Sequence, residues 1–258
     1  MPANRNTKGS SMRLLSSVIL LAGAFFLPHS LQAQDFVPLR ANLHVHSVLS
    51  NNVYASNDND HVFCPLPSEL MDQAADHGLN VVGFSEHGNM ERSTTWSLEG
   101  SISRPGGPVA LRGFEWTGAA DHCNIFGSAT YTDPTVTADD SMVPTKSLSA
   151  LYPWLKSAAI DPSHGTIIAQ FNHIQLFNDQ GREFGNFAWN EDADRIFRLA
   201  ELGYPPNPLN DREAYHNIAA SEADWRRALQ KGWHVAPSIG ADNQFGINDS
   251  QVDRCTGV

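Results

Sequence analysis

The chain has 258 residues, of which 41% are hydrophobic, and its formal net charge is −11 with histidine neutral. This length suits one large domain or two small ones, and the hydrophobic fraction is enough to build a core. The acidic balance argues against a nucleic acid or an anionic membrane surface as partner, because like charges repel. It does not exclude a metal site, since bound cations reverse the local sign of the potential.

The first 33 residues have the pattern of a secretory signal peptide. Basic residues precede an apolar run at residues 14–27, and Ala33 offers a small side chain before a cleavage point at Gln34. The run is shorter than a membrane-spanning helix, and the alternative is an uncleaved N-terminal anchor. We expect residues 1–33 to be removed, and residues 34–258 to form a domain exported to the periplasm or the cell exterior, without a stable membrane anchor. Cleavage would leave 14 Lys and Arg against 28 Asp and Glu.

The three cysteines are Cys64, Cys123 and Cys255. An exported protein meets an oxidising compartment, which allows one disulfide and leaves one thiol over. The sequence does not choose among the three pairings. Cys123 adjoins His122 and could instead be a soft metal ligand, although a disulfide or an inert thiol is the preferred interpretation.

The predicted elements alternate between strands and helices along most of the chain. In chain order they are strand 39–46, helix 69–77, strand 80–85, strand 109–114, helix 148–160, strand 166–171, helix 193–202, helix 221–231 and strand 233–239. Such alternation predicts an α/β fold whose parallel strands are joined by right-handed crossovers.

Metal-ligand residue types occur where these predicted strands end. His44 and His46 share one face of the first strand, because side chains alternate across a strand. Alone, a His-x-His pair matches by chance at many polar strand ends. Later strand ends carry His87, Glu115, His173 and Asp242. The carboxyl ends of parallel strands converge on one face of the fold, so this pattern predicts a metal site.

Two kinds of metal-dependent barrel enzyme begin with His-x-His on their first strand. Amidohydrolase barrels usually add a carbamylated lysine that bridges two metals. Here the mature chain contains only Lys146, Lys156 and Lys231, and none of them falls at a predicted strand end. Glu115 is instead a carboxylate that could bridge two cations without modification, which favours the second kind.

The ordered motifs resemble those of the PHP (polymerase and histidinol phosphatase) superfamily. The resemblance spans nearly the whole mature chain and implies a distorted seven-stranded (β/α) barrel with two or three divalent metals, often Zn, Mn or Fe. The matching motifs are His44-Val45-His46, Ser85-Glu86-His87, Gly113-Phe114-Glu115, Asp121-His122, Asn172-His173 and Gly240-Ala241-Asp242.

The resemblance also implies roles for these residues. One metal would be held by His44, His46, Glu115 and Asp242, and a second by Glu115, His122 and His173. His87 would belong to a third position. Glu115, Asp242 and His87 are the implied catalytic groups.

The chain departs from the family pattern at the third position. Asn51, Asn52 and Gln244 stand where the family commonly has Asp or His, and amides are poor ligands for zinc-like metals. We therefore expect two well-held metals and a weak or absent third. Substitute ligands could come from the preceding polar loop, namely Asp58, Asp60 or His61. The remaining mature-chain histidines are interpreted as structural or solvated, namely His77, His164, His216 and His234.

The favoured function is metal-dependent hydrolysis of a small-molecule phosphate ester by a metal-activated water. The paired cations would supply the chemistry, since no Ser or Cys nucleophile with an adjacent base is evident. Two alternatives stay open, a carbamate or amide hydrolase on the same scaffold and a non-catalytic metal-dependent binding domain. The chain ends at Val258, soon after the last motif, so we expect a shortened sequence and a barrel incomplete at its C-terminus.

Overall fold

The computed structural model describes most of the chain that follows residue 37. The described residues are 38–50, 54–55, 61–62, 64–88, 93–99, 101–118, 121–134, 145, 147–159, 166–174, 184–202, 218–238, 240, 242, 246–247 and 256–257. All of them belong to one compact unit, Pro38–Val258. The predicted signal peptide lies outside these ranges. Among the helices inside them, none is long and apolar enough to cross a membrane.

Within the described residues, single strands or short groups of strands are separated by helices. The strands are β1 (Arg40–Val45), β2 (Tyr54–Ala55), β3 (His61–Val62), β4 (Val81–Phe84), β5 (Glu86–His87), β6 (Val109–Leu111), β7 (Gly113–Thr117), β8 (His122–Phe126), β9 (Ile168–Phe171), β10 (Phe197–Glu201), β11 (Ala236–Ser238) and β12 (Thr256–Gly257). The helical segments are α1 (Pro67–Asp76), α2 (Ser93–Glu99), α3 (Leu148–Ala159), α4 (Phe184–Phe187), α5 (Glu191–Asp194) and α6 (Ile218–Lys231).

The strands form two larger sheets and one small hairpin. The four-stranded sheet has the order β12-β1-β4-β6, and the six-stranded sheet has the order β11-β10-β9-β8-β7-β5. β1, β4 and β6 run parallel, as do β9, β10 and β11, whereas β8 is antiparallel to both β7 and β9. The α/β class is therefore confirmed. An entirely parallel arrangement is wrong, and closure into a seven-stranded barrel stays a prediction.

The six-stranded sheet separates an apolar core from a polar face. Alternation along β7 directs Phe114 and Trp116 into the core, together with Ile125 of β8 and Phe171 of β9. Leu151 of α3 packs against the same core, which also includes Leu155. The intervening residues of these strands are polar and nevertheless buried, namely Glu115, Asn124 and Gln170. The sheet thus places polar side chains on the face opposite the apolar core.

A second core covers the four-stranded sheet. Leu70 and Met71 of α1 pack there with Val82 and Phe84 of β4. The predicted helix 69–77 begins two residues earlier than expected, because α1 starts at Pro67. The backbone N–H of Leu66, the residue before this proline, donates to the Glu69 carboxylate at 2.8 Å. This bond satisfies one exposed donor at the helix start.

Two sequence predictions near the site need correction. The predicted strand 109–114 is two strands, because the chain passes from one sheet to the other at Arg112. Glu115 therefore lies inside β7 and not at a strand end. The predicted helix 193–202 is also wrong, since α5 is only one turn long and β10 follows it. The side chain of Asn190 caps the start of α5, because it accepts a hydrogen bond from the Ala193 N–H at 2.9 Å.

Candidate metal centre

Glu115 lies at the centre of a cluster of imidazoles. It is 1% exposed, and the alternation of β7 turns its carboxylate away from the apolar core. Imidazole nitrogens surround its two oxygens, with His44 and His122 at 3.3 Å, His87 at 3.4 Å, His173 at 3.5 Å and His46 at 3.8 Å. This arrangement gathers on one carboxylate the side chains that the motifs predicted.

The first group of side chains forms at the end of β1. Val45 packs into the apolar core, so His44 and His46 on either side of it project to the opposite face. Oδ1 of Asp242 is 3.2 Å from Nε2 of His46 and 3.4 Å from Nε2 of His44. Both Nε2 atoms are buried without a hydrogen-bond partner. Such buried polar atoms are rare, and a metal ion beside the two carboxylates would satisfy both.

The second group depends on the antiparallel strand. β8 pairs with β7 so that His122 lies opposite Thr117, which returns His122 to the edge reached by Glu115. His173 is the second residue after the end of β9. The rings of His122 and His173 are 4.8 Å apart between centroids and meet edge to face. Both therefore face Glu115 from one side.

Three groups within the described part of the chain could hold a metal ion. In each group the candidate ligand atoms all lie within 4.8 Å of one another. The groups are His44, His46 and Glu115; Glu115, His122 and His173; and His44, His173 and Glu201. Imidazole and carboxylate donors suit zinc and other first-row divalent ions. Because the first two groups share Glu115, that residue is placed where it could bridge two ions.

His87 lies on the exposed side of the cluster. Its side chain is 28% exposed, compared with 20% for Asp242 and 17% for His122. Its ring is 4.7 Å from that of His46, measured between centroids. His87 thus faces the first group. The amides expected to weaken a third metal position, at residues 51, 52 and 244, lie outside the described residues.

Carboxylates and hydroxyls hold the imidazoles from behind. Nδ1 of His44 donates to both oxygens of Glu201, at 3.0 and 3.2 Å. Nδ1 of His46 is 3.3 Å from Oγ of Ser50, whose hydroxyl donates to the Glu86 carboxylate. These bonds place a proton on each Nδ1, so that Nε2 is the nitrogen left to bind a metal ion, as in many metal centres.

Glu115 is itself oriented by a buried amide. Nδ2 of Asn172 donates to Oε1 of Glu115 at 2.9 Å and to Oδ1 of Asn124 at 2.7 Å. Gln170 donates in turn to Asn172 at 3.2 Å and accepts from Ser238 at 2.9 Å. This chain of hydrogen bonds crosses the polar face of the sheet and restricts how the Glu115 carboxylate can turn.

The surroundings keep the two central carboxylates ionised. Burial raises the pKa of Glu115, but His122, His173 and His44 outweigh burial and hold it well below its usual range. Burial likewise raises the pKa of Asp242, and His44, His46 and His173 lower it by more. Both groups are therefore anionic at neutral pH, which is the form that binds a cation.

Three of the imidazoles have shifted pKa values, two raised and one lowered. Burial lowers the pKa of His44, but Glu201, Asp242 and Glu115 raise it well above the ordinary value of 6.5. For His122, burial lowers the pKa and Glu115 raises it by more. In metal-free protein these two imidazolium ions contribute stability that is complete below about pH 6.5 and is lost as the pH rises through the raised values. Burial and the neighbouring His46 instead lower the pKa of His87 to about 4, which leaves it neutral.

The structure brings together every side chain that the motifs placed at the site, and it separates others from it. Cys64 and Cys123 are free, buried thiols, so no disulfide joins them. Cys123 belongs to the apolar core, on the face opposite the cluster, which removes it as a ligand. His77 lies at the end of α1. His234 is paired with Asp194 at 2.8 Å, away from the cluster.

Glu201 is the site residue that the sequence interpretation missed. Treating residues 193–202 as a helix hid a strand end that carries a carboxylate. The predicted order placed two helices in succession, whereas a strand between them restores the alternation of strand and helix. Within this stretch the apolar residues Phe197 and Leu199 flank the polar Arg198, an alternation that is typical of a strand.

Comparison with known proteins supports the fold. No protein-family model and no curated protein sequence matches the chain. A crystal structure of a putative metal-dependent phosphoesterase from Bifidobacterium adolescentis is similar, with a TM-score of 0.52 and 13% sequence identity. The match covers 84% of this chain and 92% of that protein. At this identity the similarity shows a shared fold.

Proposed function

We propose that this protein is a metal-dependent hydrolase of the PHP type, acting on a small-molecule phosphate ester. The observation that carries the proposal is the pair of buried Nε2 atoms of His44 and His46, which lack hydrogen-bond partners. Both nitrogens face the carboxylates of Glu115 and Asp242. The fold shared with a protein named as a putative metal-dependent phosphoesterase supports the same activity.

The donor set suits two divalent ions of the Zn, Mn or Fe type. His44, His46, Glu115 and Asp242 would hold one ion, and a second would be held by Glu115, His122 and His173. Ions bound there would activate a water for attack and polarise the phosphoryl group. We propose that a third metal ion binds weakly or not at all, because Asn51, Asn52 and Gln244 supply amides at its position.

The residues themselves have distinct tasks in this proposal. Glu115 is anionic and shared, so it joins the two groups. Asp242 supplies a second anion from the exposed side of the cluster. His87 is the most exposed imidazole of the cluster, and its pKa, lowered to about 4, keeps it neutral and able to bind an ion. The substrate would therefore enter beside His87 and Asp242.

The test is metal-dependent hydrolysis by purified protein. Protein stripped with a chelator is reloaded with Zn²⁺ or Mn²⁺ and assayed with a chromogenic phosphodiester, a phosphomonoester and a carbamate. We expect phosphate ester cleavage that disappears on stripping and returns on reloading. His46→Ala should abolish it, while His234→Ala, with an exposed side chain outside the cluster, should not. Cleavage of the carbamate alone would reject the phosphoesterase, and metal binding without any hydrolysis would indicate a binding domain.

A further inference from the structure

A buried carboxylate stands behind the cluster and contacts three of its segments. Glu201 ends β10 and is 0% exposed. A lone buried carboxylate is costly unless hydrogen bonds and nearby positive groups compensate for the lost hydration. The partners of Glu201 therefore show what this charge is used for.

The first partner is the ring of His44. Its Nδ1 donates to both oxygens of Glu201, at 3.0 and 3.2 Å. A hydrogen bond to an ionised acceptor is stronger than one between neutral groups. The bond fixes the plane of the imidazole and directs Nε2 towards Glu115, 3.3 Å away.

The second partner is the backbone of His173. Its N–H donates to Oε2 of Glu201 at 2.7 Å. The φ angle of His173 is 27°, in the left-handed region that residues other than glycine seldom adopt. Such a conformation persists where surrounding contacts hold it. The carboxylate supplies one of these contacts and so fixes where the His173 ring points.

The third partner is the segment that leads to Asp242. A Cβ built on Gly240 would lie 1.5 Å from Oε1 of Glu201 and 3.0 Å from Cβ of His44. Only glycine fits this close approach. The position of Glu201 therefore explains the first residue of the Gly240-Ala241-Asp242 motif.

We propose that Glu201 is a positioning residue that fixes His44 of one metal group and His173 of the other, so that one buried charge couples the two groups. This inference rests on the proposed metal-dependent function. Glu201 is not assigned as a ligand, although its group with His44 and His173 is compact enough to hold an ion. Both of its oxygens already accept hydrogen bonds, and the Nδ1 of His44 that faces it carries a proton.

The experiment measures metal binding, not hydrolysis. Co²⁺ is titrated into stripped wild-type protein and into Glu201→Gln, and its visible absorption reports each bound ion. The amide keeps the shape of the side chain, but it removes the negative charge and replaces one of the two accepting oxygens by an NH2 group. We expect both ions to bind about 10–100-fold more weakly, the usual effect of removing an outer partner of a ligand. The rise in melting temperature on adding Co²⁺ should shrink in parallel.

Asp194→Asn is the matched control. Asp194 also accepts from a backbone N–H and from an imidazole Nδ1, both of His234 and both at 2.8 Å, but away from the cluster. We expect its Co²⁺ binding to equal that of the wild type. Should Glu201→Gln fail to fold, Glu201→Asp keeps the charge and shortens the reach, so both ions should again bind more weakly.

The outcomes separate cleanly. Wild-type affinity for both ions in a folded Glu201 variant would overturn the inference. Weakening confined to one ion would make Glu201 a ligand or a partner of a single group and would also overturn it. Equal weakening by Asp194→Asn would reduce the effect to general destabilisation. If wild-type protein bound no Co²⁺, the proposed function itself would fail, before any variant is compared.

Discussion

Glu115→Gln tests the central role that the geometry gives to one carboxylate. The substitution keeps the size of the side chain and removes its negative charge. Glu115 belongs to two of the three groups that could hold a metal ion, so both ions would lose a ligand and its charge at once. Loss of an outer partner alone typically weakens metal binding by about 10–100-fold. We therefore expect each ion to bind more than ~100-fold more weakly, which corresponds to a loss of more than about 2.7 kcal/mol in the free energy of metal binding.

The fold should largely survive this substitution. The glutamine oxygen can still accept from Nδ2 of Asn172, which donates to Glu115 at 2.9 Å. His44 also keeps its ionic partner Glu201 on the other side of the ring. The circular dichroism spectrum of Glu115→Gln should therefore resemble that of the wild type, while its hydrolysis of phosphate esters falls nearly to background.

Elemental analysis, circular dichroism and the hydrolysis assay together decide the outcome. Wild-type protein should carry about two divalent ions, and Glu115→Gln at most one. His77→Ala is the control, because His77 lies at the end of α1, and it should keep both metal and activity. A Glu115→Gln protein with full metal content and full activity would refute the bridging role. A surface carboxylate would show that behaviour, since exposed substitutions usually change stability by less than ~0.5 kcal/mol.

Three further outcomes can be measured. Because the pKa values of His44 and His122 are raised in metal-free protein, the gain in melting temperature on adding Zn²⁺ should grow between about pH 6 and 8; a constant gain would contradict proton competition. Asn172→Asp replaces the donor to Glu115 by an acceptor and should weaken metal binding ~10-fold or more; an unchanged titration would rule out this support. We also propose export, so mass spectrometry of native material should find a chain starting near Gln34, and an intact N-terminus would reject cleavage.

The ligand-type residues were predictable because each stands in a motif tied to a strand. His44 and His46 needed only the period-two alternation of β1, and His173 needed only the apolar run of β9 before it. Glu115 was placed beside them for an incorrect reason. It lies within β7, and the alternation of side chains along that strand points it away from the apolar core and towards the site.

The sequence did not predict the antiparallel strand or the groups behind the imidazoles. β8 begins with a polar residue, His122, and no local pattern in the sequence indicates its pairing with β7. Most contacts of the supporting groups join residues that lie 28 to 157 positions apart in the chain, as for Ser50, Glu86 and Glu201. The pair of Ser50 and His46 is the exception, since these two residues are close in sequence. Contacts at such separations depend on the completed fold and leave no spacing pattern in the chain.

The supports behind the two histidines of β1 differ, and the difference has a chemical consequence. His44 donates directly to a carboxylate, whereas His46 reaches Glu86 only through the neutral hydroxyl of Ser50. A charged acceptor makes an imidazole more basic and holds it more firmly than a neutral one. His44 should therefore be the stronger and more rigid donor of the pair. Ser50 has the wider reach, because its hydroxyl also accepts a hydrogen bond from the backbone N–H of His87 at 2.8 Å. The same side chain therefore contacts His46 and the residue beside which the substrate is proposed to enter.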